Sequence, residues 1–242
     1  MPKSIGIIGN GRAGKAFSAA FNSAGIEVYG PLTKGEGFAT QPDAILICTP
    51  DSAISDVAMT IPDHVPLGHC CGARGTETLG RRDNAFCLHP LMTLTNSSRE
   101  ADFKGAWAAI DGSSESMLQL ASALAKACDM TPTQIDSAHR PTYHAAASIA
   151  SNFLITVEAA AEHVAKQAGL PREALVPLAQ ATLDNWATLG PTAALTGPVA
   201  RGDEETVERQ REAIVEAAPE LIDLFDSLCE ATRNLAVGKA TA

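Results

Sequence analysis

Ser4-Ile5-Gly6-Ile7-Ile8-Gly9-Asn10-Gly11-Arg12-Ala13-Gly14-Lys15-Ala16-Phe17 is the stretch on which the fold turns. A short apolar run ends at Gly9, the glycines at 9, 11 and 14 follow a G-x-G-x-x-G spacing, and an Ala-rich amphipathic segment starts at once. The pattern predicts a strand, a tight turn and a helix. If the turn cradles a pyrophosphate, Gly9 makes the bend, Gly11 lets the backbone approach the anion, and Gly14 lets the helix pack on the strand. The glycines alone are a weak signal; their place between a strand and a helix strengthens it. Gly9, Asn10, Gly11, Arg12, Ala13 and Gly14 are therefore the expected cofactor-binding turn.

Working outward, the first helix should stop near Ala24-Gly25, and Ile26 to Tyr29 reads as a second parallel strand. Many NAD sites carry an acidic residue at the end of this strand, where this chain has Tyr29, Gly30, Pro31 and Leu32. Thr33 and Lys34 follow, a hydroxyl and an ammonium suited to the 2′-phosphate of NADP, so NADP is expected with NAD as the alternative. Between Gly30 and Asp43 there is too little chain for a full crossover helix. Asp43 to Cys48 is the next strand, and Thr49-Pro50-Asp51-Ser52 stops it and caps a short helix to about Met59. Thr49, Pro50 and, after a strand at 67–72, Gly72 are further cofactor candidates, because loops at the carboxyl ends of such strands line the ligand crevice. Strands are also expected at 85–88 and 106–110, with a helix from Ser116 to Ala127.

From about Thr131 the strand-like runs give way to Ala-rich amphipathic segments. A helix is expected over 143–167, with Ala146, Ile149, Ala150, Phe153, Leu154 and Val157 on its core face. A second helix follows Pro171, with a kink at Pro177 and an end at Gly190-Pro191. Two more lie on either side of Pro219, the first capped by Asp203. The fold class expected is α/β: an N-terminal Rossmann-type, mostly parallel sheet over residues 1–135 and a second, all-α helical domain over 136–242.

The 242 residues carry 18 basic and 28 acidic side chains, a formal charge of -10, and no Lys/Arg cluster, so no nucleic-acid partner is expected. No window approaches the ~20 apolar residues of a membrane span, and the apolar start is too short and Gly-rich for a signal peptide. A soluble, cytoplasmic protein with no membrane partner is expected. The six cysteines lack C-x-x-C spacing and read as reduced core thiols; a metal site from His69, Cys71, Cys87 and His89 is the minor reading, and no metal is expected.

Three clusters carry candidate chemistry. His89-Pro90-Leu91-Met92-Thr93 follows a strand at the sheet's carboxyl edge, where the imidazole would donate to a substrate oxygen. His144, Ser148 and Asn152 recur every fourth residue, a polar stripe along one helix side, with Thr156 at its margin and Arg140 near its start. Thr196-Gly197-Pro198 with Arg201 forms a loop able to present a hydroxyl and a guanidinium to a carboxylate. His144 or His89 is the expected proton donor, Asn152 the polarising group, and Ser148, Thr196 and Arg201 the substrate-binding set. Each cluster also has a plain structural explanation in turns, caps and interhelical bonds.

With these residues in view, the chain resembles Rossmann-like proteins that carry a helical C-terminal domain of unknown function. They sit within the wider 6-phosphogluconate-dehydrogenase-like group that includes pyrroline-5-carboxylate and ketopantoate reductases. The matching motifs are Gly9 to Gly14, Thr49-Pro50-Asp51, Gly72-Ala73, His89-Pro90-Leu91, Tyr143 to Ala147, Ser151-Asn152 and Ala194 to Asp203. The resemblance implies a nicotinamide site in the first domain, a substrate site against the helices, and a homodimer built through the helical domain. It implies hydride transfer to or from a small polar or carboxylate-bearing carbonyl, imine or hydroxy acid. The shortened segment between residues 30 and 43 supports the alternative, a dinucleotide-binding sensor or regulatory protein without turnover.

Overall fold

The computed structural model describes residues 1–95 and 103–240. The chain divides into two compact units, Met1–Ser151 and Asn152–Ala242.

The first unit begins with β1 (Ser4–Ile8), α1 (Arg12–Ser23), β2 (Glu27–Leu32) and β3 (Ala44–Ile47). A 3₁₀ turn at Asp51–Ala53 leads into α2 (Ile54–Ala58), then β4 (Leu67–His69), a 3₁₀ turn at Thr76–Leu79, β5 (Ala85–Leu91) and β6 (Trp107–Gly112). It ends with α3 (Glu115–Ala127), β7 (Thr131–Gln134) and α4 (Arg140–Ser148). The seven strands form one sheet in the order β2-β1-β3-β4-β5-β6-β7. All pairs are parallel except β5 with β6. The order reverses at β1, which has β2 on one side and β3 on the other, and ligands of open α/β sheets bind where the order reverses, outside the strands' carboxyl ends.

Each sheet face has its own core. On one, Ile5, Ile7, Leu46, Phe86 and Leu88 pack with Phe17 and Phe21 of α1, Leu124 of α3 and Phe103. On the other, Ile45, Ile47, Leu67 and Ala85 pack with Ile54 and Ala58 of α2, Leu79 and Cys71. The result is a three-layer arrangement of the kind expected for this fold class. Gly9 and Gly14 show why the opening motif needs glycine. Gly9 sits at φ +116°, and a Cβ on Gly14 would lie 1.8 Å from the Gly9 carbonyl oxygen. Gly11 is different: open space surrounds it.

Several boundaries differ from the sequence expectation. β2 continues through Leu32, so Tyr29 to Leu32 lie in the strand and not beyond it. β5 runs to Leu91, which puts His89 inside the strand. β7 lies in a stretch where strands were expected to have ended; its Thr-Pro-Thr-Gln sequence carries a proline, which a strand tolerates at the sheet edge, where β7 sits. The segment between β2 and β3 holds no helix, in line with its length.

The helix expected over 143–167 is three pieces: α4, a π-helical turn at Ile149–Phe153, and α5 (Leu154–Gln167). The π turn adds a residue to the helical repeat, so the every-fourth-residue stripe from His144 through Ser148 to Asn152 is not one straight line.

The second unit contains α5, α6 (Arg172–Ala194), α7 (Pro198–Arg201), α8 (Glu204–Ala217) and α9 (Ile222–Ala240). Asp203 caps α8, accepting from the Thr206 backbone N–H at 3.1 Å. Within α6 the helical dihedrals break at Gly190, where the helix was expected to end, and Pro177 does not interrupt them as expected. No residue of α5 or α6 is buried. Ile149 (63% exposed) and Phe153 (57%), expected in the core, lie open in the single chain, as do Ile155, Leu178, Trp186 and Leu189. Among the described residues no helix is long and apolar enough to cross a membrane.

Candidate active site

Two neighbouring regions of the first unit carry the candidate chemistry. The first is a cavity of about 940 Å³ at the carboxyl ends of β1 and β3. Gly9, Asn10, Thr49 and Pro50 line it on the sheet side, and Thr33, Lys34, Glu36 and Phe38 from the loop after β2 line it on the other. This places five predicted cofactor residues outside Gly11 to Gly14, namely Asn10, Thr33, Lys34, Thr49 and Pro50, around one space with Gly9.

Two observations bear on whether a dinucleotide fits. The Thr49 hydroxyl is buried without a hydrogen-bond partner among the described residues, and buried polar groups ordinarily have one. A Cβ on Gly9 would approach the Cys48 carbonyl oxygen to 2.5 Å and the Thr49 nitrogen to 2.9 Å, so the turn lies tightly against the end of β3. Arg12, at the first turn of α1, is exposed. The N-cap of α1 is Gly11, which has no side chain, so no cap stands between the helix start and an anion.

Glu36, not among the expected site residues, lies four residues beyond the end of β2. Its carboxylate accepts from the Thr33 backbone N–H at 2.5 Å. Hydrogen bonds from the Thr33 backbone and then from its side chain hold Glu36 below the usual carboxylate range. Thr33 is thus engaged by an acid, while Lys34 contributes the cation of this loop.

The second region gathers both predicted histidines. His89 Nδ1 and the Tyr143 hydroxyl share a hydrogen bond of 2.7 Å. The His89 and His144 rings stand edge to face with centroids 6.0 Å apart. Gly72 makes room for them: a Cβ there would meet His144 Cδ2 at 2.6 Å and His89 Nε2 at 2.8 Å. Gly72, predicted to border the cofactor, therefore borders the two imidazoles. Burial, then the neighbouring His144 and Arg140, push His89 down to about 4, so it is a neutral imidazole near pH 7. Burial pushes the Tyr143 phenol up to about 12.

Beneath these groups the strand register aligns His69, Cys87 and Asp111 across β4, β5 and β6. The Cys71 backbone N–H donates to His69 Nδ1 at 3.1 Å, so Nε2 carries the proton and donates to the Gly75 carbonyl at 2.9 Å. Cys71 Sγ donates to Asp51 at 2.9 Å; burial, then Asp51, raise this thiol to about 11. His69, Cys71 and Cys87 are thus engaged in buried hydrogen bonds. All six cysteines are free thiols.

Ser148, half-buried, ends α4 in the first unit. Asn152, Thr196 and Arg201 belong to the second unit and are exposed. Thr196 precedes Gly197, which opens α7, and Arg201 closes that short helix before the left-handed Gly202. Tyr143 and Arg140 are the functional candidates that sequence reasoning did not select as site residues. The Arg140-Pro-Thr-Tyr-His144 run held the signal, since four polar residues begin a helix otherwise rich in alanine.

The fold is that of a two-unit α/β protein with a cavity at the carboxyl ends of β1 and β3. Residues 106–232, just over half of the chain, match the family model described as Domain of unknown function (DUF2520), and the chain belongs to that family. Among solved structures it is similar to a "putative NADP oxidoreductase" of Bacteroides fragilis (20% identity, 96% of this chain and 98% of that one, TM-score 0.83). It is also similar to a protein of Thermotoga maritima (22%, 98% and 99%, TM-score 0.75). A third is the pyrroline carboxylate reductase of Plasmodium falciparum with NADP bound (12%, 96% and 99%, TM-score 0.59). These likenesses support the Rossmann-type sheet with a helical C-terminal unit. No curated protein sequence matches this one.

Proposed function

We propose that this protein is an NADP-dependent oxidoreductase that transfers a hydride to or from a small polar or carboxylate-bearing carbonyl, imine or hydroxy acid. The observation that carries the reading is the juxtaposition, at the carboxyl edge of one sheet, of the glycine turn and its cavity with the His89–Tyr143–His144 group. Bound NADPH would supply the hydride; the chain must hold it, orient the acceptor and manage one proton.

Gly9 to Gly14 and the start of α1 would hold the pyrophosphate, with Thr49 offering its unpaired hydroxyl. Lys34 and Arg12 would favour the 2′-phosphate. Glu36 in the same loop supports NAD as the second reading, because a carboxylate accepts ribose hydroxyls and repels a phosphate. His89 acts as a neutral donor, not as an imidazolium, since its burial keeps it uncharged at neutral pH. With Tyr143 donating to Nδ1, neutral His89 would keep its Nε2–H to hydrogen-bond a developing alkoxide or amine, which takes its proton from solvent. His144 lies edge-on beside His89. Ser148, Asn152, Thr196 and Arg201 remain assigned to substrate by motif alone.

We also propose a homodimer through the helical unit, on the strength of its open apolar side chains.

The test is oxidation of NADPH by a panel of 2-oxo acids, cyclic imines and aldehydes, run beside NADH. Turnover with NADPH preferred, and lost on Tyr143→Phe or His89→Gln, supports the proposal. Tight NADPH binding with no oxidation across the panel would favour a sensor or regulatory protein, and no binding of either nucleotide would reject both. Glu36→Gln separates the cofactors: improved NADPH affinity with weaker NADH supports a loop that discriminates between them.

A further inference from the structure

Arg140 opens α4, and its side chain is completely buried. Its Nη1 lies 3.4 Å from the Cys71 carbonyl oxygen, a long contact, and Nε and Nη2 have no hydrogen-bond partner among the described residues. No carboxylate among those residues is within ion-pair distance of it. A guanidinium keeps its charge in any protein environment, and leaving that charge buried and unpaired is expensive. Its location at a helix N-terminus adds to the cost, because the helix dipole is already positive there.

The acids nearby are engaged elsewhere. Asp51 accepts from the Cys71 thiol. Glu77 accepts from the Gly75 N–H and from Ser137. Asp111 accepts from the Gly112 N–H at 2.9 Å, with Ser137 at 3.5 Å from its other oxygen.

The vacant edge has a definite meaning. Nε and Nη2 form the side of the guanidinium that meets a carboxylate with two parallel hydrogen bonds. Three other arginines of this chain use that same edge: Arg172 on Glu162, Arg211 on Asp226 and Arg233 on Glu204. Arg140 presents the same pair of donors in the interior, where water competes least. It also adjoins the proposed chemistry, because Nη1 contacts Cys71 and the next residue, Gly72, is the one against which His89 and His144 pack.

We propose that the Nε–Nη2 edge of Arg140 receives the carboxylate of the substrate. The substrate class is thereby a small acid with its reacting carbon within a bond or two of the carboxylate: a 2-oxo, 2-imino or 2-hydroxy acid. Entry requires the side chains over that edge to move, since it is closed to solvent in the structure. The assignment rests on the oxidoreductase reading above and narrows it.

Oxamate and its neutral amide, oxamide, are the probes: matched in size, they differ in the carboxylate. Each is titrated calorimetrically into the full-length protein with and without saturating NADP⁺, and NADP⁺ binding is measured separately. Oxamate should bind at least about tenfold more tightly than oxamide, and Arg140→Gln should abolish that preference while leaving NADP⁺ affinity unchanged. Arg140→Lys keeps the charge but loses the two-donor edge, and should weaken oxamate by about tenfold if Arg140→Gln fails to fold. Equal affinity for the two probes, binding of neither, or a full oxamate preference in the lysine variant overturns the assignment. Oxamate preference in a protein that does not bind NADP⁺ would uphold Arg140 and reject the cofactor reading instead.

Discussion

His89 shows at the level of one residue what burial does to chemistry. A histidine after a strand was readable from His89-Pro90-Leu91, but its neutral state was not, because that depends on burial and then on His144 and Arg140, which are 55 and 51 positions away in sequence. Its folded value near 4 lies below the ordinary ~6.5, so the unfolded chain binds the proton more readily. The stability this group contributes is therefore complete above about pH 6.5 and declines as pH falls toward 4, by about 3 kcal/mol in total. Burial shifts His69 in the same direction, which adds to the trend. Urea unfolding at pH 7 and pH 4.5 measures it. His89→Gln should lose distinctly less stability over that interval than the wild type, and parallel losses would mean that His89 titrates normally. Arg140 was legible as a cation near the start of the polar stripe, but its complete burial was not.

At the level of elements, the strands with compact apolar runs were legible and the exceptions have physical causes. β1 and β3 declare themselves because a parallel sheet covered on both faces makes its strands nearly continuously apolar. β7 does not, because an edge strand tolerates proline and needs fewer apolar side chains. The π turn at Ile149–Phe153 leaves no compositional trace, and it is what bends the predicted polar stripe. In α6 the interruption expected at Gly190-Pro191 is present, because Gly190 adopts φ 75°, ψ 169°, a region essentially closed to other residues, whereas the kink expected at Pro177 is absent. Gly190→Ala should accordingly cost about 1–3 kcal/mol, read as a lower Tm, while Ala187→Gly, within regular helix, should cost about 1 kcal/mol. Equal small losses would show that the dihedral strain is relieved elsewhere.

The whole molecule combines a sheet unit with two well-filled cores and a helical unit whose amphipathic faces stay open. The helical periodicity of Leu178, Trp186 and Leu189 was legible; that it faces outward in the single chain was not, because periodicity does not say whether the covering surface comes from the same chain. A second copy is the proposed cover. Sedimentation velocity should give a dimer for the wild type and a monomer for Phe153→Asp combined with Trp186→Glu; a monomeric wild type would remove the proposal. The central claim is that Gly9 to Gly14 hold the pyrophosphate of a nicotinamide dinucleotide, and Gly11 offers a clean test. Nothing lies within 4 Å of a Cβ placed there, and its φ of -83° suits any residue at a helix N-cap, so Gly11→Asp should fold with an unchanged or raised Tm. Its carboxylate would stand where the pyrophosphate must lie. Fluorescence titration of NADPH into the two proteins is the deciding measurement: saturable binding by the wild type and at least about a hundredfold loss in Gly11→Asp at unchanged fold is the predicted result. Equal affinities, or no binding by the wild type, would contradict it.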